Sequence, residues 1–282
     1  FGGWLPFPIS SVATVIRLHG PSFFFPMPLQ FHKALFVQWL EKKTLSGHDK
    51  WIGVSHHVLD EMLHCVSRPP RFTAVVHNPV DVEHFKPQNE SLSMVNRLLY
   101  VGTLSERKGV LSLAEAAREI LSQFPKKELV LVGKDTVFAG RPVTTIVREL
   151  VGKQLEHRVH FVSHIDRSSL PYWYGNAELV VAPSFAETSG MVWLEAMACQ
   201  RPLVASKLTA GPETVIDRHS GLLCDPNKPA DIASKLEAIL HDPQFGAYLA
   251  RNGRERVCKE YTLEQALLKT KHIYEEVSAN RC

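Results

Sequence analysis

The chain has 282 residues, of which 45% are hydrophobic and 22% charged, and these fractions are those of a globular protein. They exclude a disordered, collagen-like or coiled-coil chain. The 32 Lys and Arg residues nearly balance the 29 Asp and Glu residues, and a formal net charge of +3 gives no reason to expect a nucleic-acid partner.

Cysteine usage and apolar run length narrow the class of protein further. The five cysteines are odd in number and lack CxxC or CxxH spacing, so neither a disulfide framework nor a zinc site is expected. Scattered free thiols suit a reducing compartment, and we expect a cytoplasmic location. No apolar run approaches the ~20 residues that a membrane-spanning helix needs. The cysteines are Cys65, Cys199, Cys224, Cys258 and Cys282.

The predicted elements fall into an irregular first part and a regular second part. The first part holds strands at 13–18, 51–54 and 74–76, a helix at 30–45, and a helix that Ser55 caps and that runs to Cys65. The second part holds strands at 98–102, 129–133, 159–162, 179–182 and 203–205. Apolar spacing of i, i+3, i+4, i+7 predicts a helix at 110–124.

The second part predicts an α/β fold. Its strands are apolar along their whole length and alternate with amphipathic helices, a pattern typical of a parallel sheet covered on both faces. In such sheets ligands bind beyond the carboxyl ends of the strands. We therefore expect functional residues in the loops after Gly102, Gly133, Val162, Pro183 and Ser206.

The loop 102–109 joins a strand to a helix N-terminus, where free backbone N–H groups attract phosphate. Arg107 and Lys108 add positive charge there. The alternative is a solvated basic turn, since the loop is not a Walker motif.

The loop 183–190 leads into a second helix, for which Thr188 or Ser189 is the expected cap. Glu187 lies before this helix and Glu195 about two turns into it, so their carboxylates would reach different parts of one extended ligand. The alternative is that Glu187 complements the helix dipole and Glu195 is a satisfied buried acid. A third loop of small residues, 207–213, is either a ligand loop or an ordinary turn.

Several motifs in order resemble one family. One stretch of the chain resembles the donor-binding signature of retaining family 4 glycosyltransferases: Pro183-Ser184, Glu187, Gly190, Glu195-Ala196-Met197-Ala198, followed by Arg201-Pro202. Its other motifs resemble Asn78-Pro79-Val80-Asp81 with Phe85 and Pro87, Gly102-Thr103-Leu104 with Lys108-Gly109, Pro212-Glu213, and Gly221-Leu222-Leu223. The similarity covers residues 52–262.

The resemblance implies a GT-B architecture of two Rossmann-like domains and a set of residue roles. Residues 1–75 would be part of an N-terminal acceptor-side domain, residues 76–261 the C-terminal donor-binding domain, and residues 262–282 a helix that packs back on the first part. Lys108 would contact the donor diphosphate and Glu187 the hydroxyls of the transferred sugar, with Glu195 on the ribose. The remaining donor-site residues would be Gly102, Thr103, Arg107, Gly190, Met191 and Val192, and His19 would lie beside the sugar.

Three positions depart from the family pattern. Thr103 stands where the family usually has a diphosphate-binding Arg, for which Arg107 is a substitute from another part of the turn. Thr209-Ala210 replaces a Gly-Gly pair, and Gly133-Lys134-Asp135 lacks a second glycine. These departures predict weak donor binding or an unusual donor.

The implied activity is transfer of a hexosyl-type sugar from a nucleoside-diphosphate sugar to a hydroxyl on a glycan, a lipid-linked saccharide or a small molecule, with retention of configuration. Lys108 and the helix N-terminus would stabilise the leaving diphosphate, so neither a metal nor a cofactor is expected. The alternatives are a non-catalytic nucleotide-sugar-binding fragment and a nucleotide-sugar epimerase of the same fold. Because the chain begins at Phe1 and its first part is short, we expect a C-terminal piece of a longer enzyme, with peripheral contact to the inner membrane face through the N-terminal domain.

Overall fold

The computed structural model describes residues 14–20, 31–88, 96–163 and 165–279. Contacts within the chain divide it into two compact units, Phe1–Pro79 with Leu263–Cys282, and Val80–Thr262. The predicted starts of the first strand and first helix, Ala13 and Gln30, lie outside the described residues, as does Cys282. No helix in the described ranges is long and apolar enough to cross a membrane.

The second unit is built on a six-stranded sheet in which every neighbouring pair is parallel, in the order β11-β10-β9-β4-β5-β8. Its strands are β4 (Arg97–Val101), β5 (Glu128–Val132), β8 (Val159–Val162), β9 (Leu179–Ala182), β10 (Leu203–Ser206) and β11 (Leu222–Cys224). A small antiparallel pair, β6 (Val137–Phe138) and β7 (Arg141–Pro142), stands apart from it. The predicted α/β class with a parallel sheet is confirmed.

Helices cover both faces of this sheet because successive strand residues point to opposite sides. In β4, Leu98 and Tyr100 enter one apolar cluster with α3, α4 and α8, whereas Leu99 enters a second cluster with α6 and α9. The helices are α3 (Val110–Gln123), α4 (Val143–Val151), α5 (Leu170–Gly175), α6 (Met191–Ala198), α7 (Gly211–Thr214), α8 (Pro229–His241) and α9 (Pro243–Glu260). All the strands run the same way, so the loops after β4, β5, β8, β9 and β10 leave one edge of the sheet.

The first unit contains a three-stranded parallel sheet in the order β1-β2-β3. The predicted cap at Ser55 is confirmed, because its hydroxyl accepts a hydrogen bond from the Val58 N–H at 3.1 Å. The elements are β1 (Ile16–Leu18), α1 (Phe31–Ser46), β2 (Lys50–Gly53), α2 (His56–His64), β3 (Phe72–Val75) and α10 (Leu263–Ala279).

The last helix, α10, belongs to the first unit, but its buried face is narrower than the sequence suggests. Ile273 and Val277 pack with Ile52 and Val76 in one apolar cluster. Three predicted members of that face are instead 55–60% exposed, namely Leu263, Leu267 and Leu268. The buried stripe runs through Ala266, Ile273 and Val277, at positions i, i+7 and i+11, and at 100° per residue the three leucines lie off it.

Truncation of the buried anchor should therefore destabilise the chain more than truncation of an exposed leucine on the same helix. We expect Ile273→Ala to lower the free energy of unfolding by about 2 kcal/mol or more, because it removes buried methyl groups and leaves a cavity. Leu267→Ala is the control and should change it by about 0.5 kcal/mol or less. Urea unfolding of both variants measures the difference, and equal losses would contradict the buried stripe.

Candidate functional site

A cleft of about 340 Å³ opens at the carboxyl edge of the six-stranded sheet. The ends of β4 and β5 contribute Gly102, Thr103, Gly133 and Lys134, and α6 contributes Glu195. The segment after β8 contributes Ser163, Ile165, Arg167 and Leu170. The cleft thus lies where the strand order predicts ligand binding.

The backbones of the first two loops approach each other too closely for side chains at Gly133. A Cβ there would lie 1.9 Å from the Gly102 carbonyl oxygen, and the Gly133 φ of +154° also disfavours an L side chain. The Gly102 N–H donates to the Val132 carbonyl at 2.9 Å, and the Gly133 N–H to the Val162 carbonyl at 2.9 Å. These contacts hold the ends of β4, β5 and β8 close together at this edge of the sheet.

Thr103 lines the cleft with an exposed side chain. Its carbonyl oxygen accepts a hydrogen bond from the hydroxyl of the buried Tyr100 at 2.8 Å. Burial raises the pKa of Tyr100 far above its usual value, so this hydroxyl keeps its proton and stays a donor. Tyr100 therefore fixes the backbone at the start of the loop.

A second close approach joins the loop after β4 to the loop after β9. Gly109 has a left-handed φ of +73°, and a Cβ there would lie 1.9 Å from the Pro183 carbonyl oxygen. The Phe185 N–H also donates to the Arg107 carbonyl at 2.9 Å. Only glycine satisfies both the φ and the contact, so this position determines how near the two loops lie.

The approach brings Lys108 and Glu187 together as an ion pair between Nζ and Oε1. Their side chains are only 19% and 14% exposed, so solvent screens this pair less than a surface pair. Ser184 Oγ lies 3.5 Å from the same carboxylate oxygen. Two residues 79 positions apart thus form one ion pair between the loops after β4 and β9.

Arg107 has a different environment from Lys108. Its Nη1 donates to the Ala186 carbonyl at 3.1 Å, so its guanidinium contacts the backbone of the loop after β9. This contact holds the segment that carries Glu187.

The prediction that Thr188 or Ser189 caps α6 is wrong. The cap residue is Gly190, in a left-handed conformation with φ of +58°, and neither Thr188 nor Ser189 occupies that position. The Trp193 ring fills the space beside Gly190, where a Cβ would meet it at 2.0 Å. Met191 and Val192 are the first residues of the helix and are half-buried, and the first N–H groups of α6 follow the Glu187 loop.

Glu195 is a buried acid with two partners. The hydroxyl of Tyr174 donates to its Oε2 at 2.9 Å, and Arg167 Nη2 lies 3.4 Å from its Oε1. Burial raises the pKa of Glu195, and the Tyr174 hydrogen bond and the Arg167 charge partly offset that rise. Glu195 is thus an acid satisfied by its neighbours, and it also lines the cleft.

The third loop contacts the second through Thr209. Its hydroxyl accepts a hydrogen bond from the Glu187 N–H at 3.1 Å. Thr209 has a left-handed φ of +54°, which a β-branched residue rarely adopts and which glycine tolerates without cost. The loop is therefore more than an ordinary turn, because it orients the backbone at Glu187.

His19 belongs to the first unit, after β1, and its side chain is exposed. Partial desolvation of the ring by its neighbours, and secondly the positive charge of Arg17, lower the pKa of His19 and so favour the neutral imidazole. The sequence resemblance alone supports a role for it.

Sequence reasoning missed three residues that shape this site. Tyr174 and Arg167 contact Glu195, and Thr209 contacts the Glu187 backbone. Only Thr209 gave a signal, as a departure from the family pattern. In the ranges that the structure describes, no group of three or more His, Cys, Asp or Glu residues could hold a metal ion.

The family model described as "Glycosyl transferases group 1" matches residues 81–256, which is more than half of the chain. Among curated proteins, an uncharacterized glycosyltransferase of Methanocaldococcus jannaschii is 26% identical over 95% of this chain and 70% of its own length. A D-inositol 3-phosphate glycosyltransferase of Streptomyces bingchenggensis is 26% identical over 84% of this chain and 54% of its own length. The chain thus spans between about half and two thirds of such relatives.

Solved structures have the same architecture. A sucrose-phosphate synthase from Thermosynechococcus elongatus has a TM-score of 0.77 and 27% identity, covering 94% of this chain and 68% of its own. HepE of Anabaena, solved in complex with UDP and glucose, has a TM-score of 0.75 and 21% identity over 94% of this chain and 71% of its own. The fold is that of the GT-B glycosyltransferases.

The raised pKa of Glu195 has a consequence for stability. The unfolded chain releases this proton near the usual Glu pKa of about 4.3, whereas the folded chain holds it to higher pH. The free energy of unfolding should therefore fall as pH rises between those two values, and Glu195→Gln should remove that fall. Urea unfolding across pH measures it, with the exposed Glu255→Gln as control. Identical pH profiles for the two variants would refute the assignment.

Proposed function

The chain belongs to the family of glycosyl transferases group 1, and on that premise we propose that its second unit binds a nucleoside-diphosphate sugar. In the whole protein, the sugar moves to a hydroxyl acceptor with retention of configuration, as the resemblance to retaining family 4 implies. The observation that carries the proposal is the Lys108–Glu187 pair, which places a cation and a carboxylate side by side at the carboxyl edge of the sheet.

The pair suits the two ends of the bond that breaks. In the transfer, the bond between the anomeric carbon and the phosphate oxygen breaks, and negative charge grows on the leaving diphosphate. Lys108 and the N–H groups at the start of α6 stabilise that charge from fixed positions. With that charge supplied by the protein, the proposed reaction requires no metal and no cofactor.

Glu187 serves the other end of that bond. Its carboxylate accepts hydrogen bonds from hydroxyls of the transferred sugar, with its backbone held by Thr209. We assign Glu187 the role of a hydrogen-bond acceptor and no nucleophilic role, because nothing among the described residues of the site indicates a covalent glycosyl intermediate. For His19, placement beside the sugar rests on the sequence resemblance.

Glu195 extends the donor site across the cleft. Tyr174 donates to Oε2 and fixes the carboxylate, and Oε1 lies 3.4 Å from Nη2 of Arg167, whose side chain is 70% exposed. A carboxylate held in this way binds a pair of vicinal hydroxyls, as on a ribose ring.

The partners that follow are a nucleotide sugar and a hydroxyl-bearing acceptor. The acceptor is a glycan, a lipid-linked saccharide or a small molecule, met in the cytoplasm or at the inner membrane face. A nucleic-acid partner is not proposed.

The pair provides the first test. We expect Lys108→Ala and Glu187→Ala each to lower the rate of sugar transfer by about a hundredfold or more, because each removes an interaction that strengthens as charge develops. Circular dichroism should show both variants folded. Lys153→Ala, an exposed lysine elsewhere in the second unit, is the matched control. Unchanged transfer rates in both variants would contradict the roles assigned to Lys108 and Glu187.

Ligand panels separate transfer from the alternatives. Thermal shift against UDP-, GDP- and ADP-sugars should raise the melting temperature for one nucleotide, since a ligand present at about 100 times its Kd adds about 2.7 kcal/mol to the folded state. Incubation with that donor alone should leave the sugar unchanged. Epimerised sugar without an acceptor would instead indicate an epimerase, and binding without turnover on any acceptor a binding fragment.

A further inference from the structure

Two cationic side chains line the cleft, and only one of them is neutralised. Arg167 pairs with Glu195, as described above. Lys134, at the end of β5, has no side-chain hydrogen bond or ion pair with any residue in the described ranges. Its side chain is exposed to the cleft solvent.

The acid next to Lys134 is occupied elsewhere. Both oxygens of Asp135 bind Thr144 at the start of α4: Oδ1 accepts from the backbone N–H at 3.2 Å and Oδ2 from the hydroxyl at 2.7 Å. Asp135 thus stabilises a helix N-terminus, and it forms no ion pair with Lys134 among the described residues. An uncompensated cation in a concave site is a place for an anion.

Lys134 is also tied to the loop after β4. The Leu104 N–H donates to the Lys134 carbonyl at 2.9 Å, and Leu104 and Asp135 form a parallel bridge that extends the pairing of β4 with β5. Thr136 Oγ1 donates to the Leu104 carbonyl at 2.5 Å. Lys134 therefore stands in a fixed backbone frame beside Thr103, which is uncharged.

The proposed ligand is an anion, and two cations at this edge of the second unit are already paired with carboxylates. A nucleoside diphosphate bears at least two negative charges, while Lys108 is paired with Glu187 and Arg167 with Glu195; the Arg107 guanidinium keeps its charge but is directed at the Ala186 carbonyl. We propose that Lys134 is a further diphosphate-binding residue and that it supplies, from the β5 loop, the positive charge that Thr103 does not. This inference rests on the proposed donor site.

The test is calorimetric binding of nucleotides to the full chain. From UDP, GDP and ADP, the diphosphate that binds the wild-type chain most tightly is chosen, together with its nucleoside. Lys134→Ala should weaken the diphosphate about tenfold or more, because a charge-assisted contact is lost, and should leave the nucleoside unchanged. The affinity of this variant should also depend less on salt. Lys153→Ala is the control and should match wild type.

A second variant makes the result specific to charge. Thr103→Arg in the Lys134→Ala background restores a cation on the adjacent loop, and it should recover most of the diphosphate affinity. Equal weakening of diphosphate and nucleoside by Lys134→Ala would mean that Lys134 contacts the base or ribose, and would overturn the inference. Undiminished diphosphate binding would overturn it too, while leaving the donor site intact. Failure of all three diphosphates to bind the wild-type chain would overturn the donor site itself and Lys134 with it.

Discussion

The constraint on which the site depends is the packing of Gly109 against the Pro183 carbonyl oxygen. No residue with a Cβ fits there, and the left-handed φ of Gly109 selects glycine a second time. The contact joins the loops that leave two neighbouring strands, β4 and β9, and it places Lys108 next to Glu187. The positions of the helix α6 and of the hydrogen bond between Glu187 and Thr209 follow from where that second loop lies.

The charged side chains of this site find their partners on other loops or helices, not within their own loop. Lys108 meets Glu187 from another strand, Arg167 meets Glu195 on α6, and Asp135 turns to Thr144 on α4. Buried or half-buried charges are costly unless they are paired, so each of these contacts lowers the cost of placing ionised groups in a cleft. The same arrangement makes Lys134 stand out as a cation that no described side chain compensates.

Much of the fold could be predicted from the sequence because it rests on local signals. Continuous apolar strands and helical spacing indicated the parallel sheet, and Ser55 was recognised as a cap from its position alone. The order of the six strands had no such signal, since it depends on crossovers. The cap of α6 could not be predicted because Gly190 caps the helix through its positive φ and its contact with the Trp193 ring. The exposed leucines of α10 were assigned to the buried face because the sequence of a helix does not show which of its apolar side chains have a packing partner. Tyr174 was missed since its contact with Glu195 spans 21 positions and no motif.

In the proposed donor site, Glu187 competes with any bound anion for Lys108. A ligand anion that binds Lys108 would separate Glu187 from its counter-ion. Because each of the two side chains is less than one-fifth exposed, that separation is costly. In the proposed donor site, a simple phosphate would therefore gain one contact and lose another. A molecule that carries an anion and, a few bonds away, hydroxyl groups would replace both halves of the pair at once. On that proposal, the pair favours ligands with both functional groups over inorganic anions.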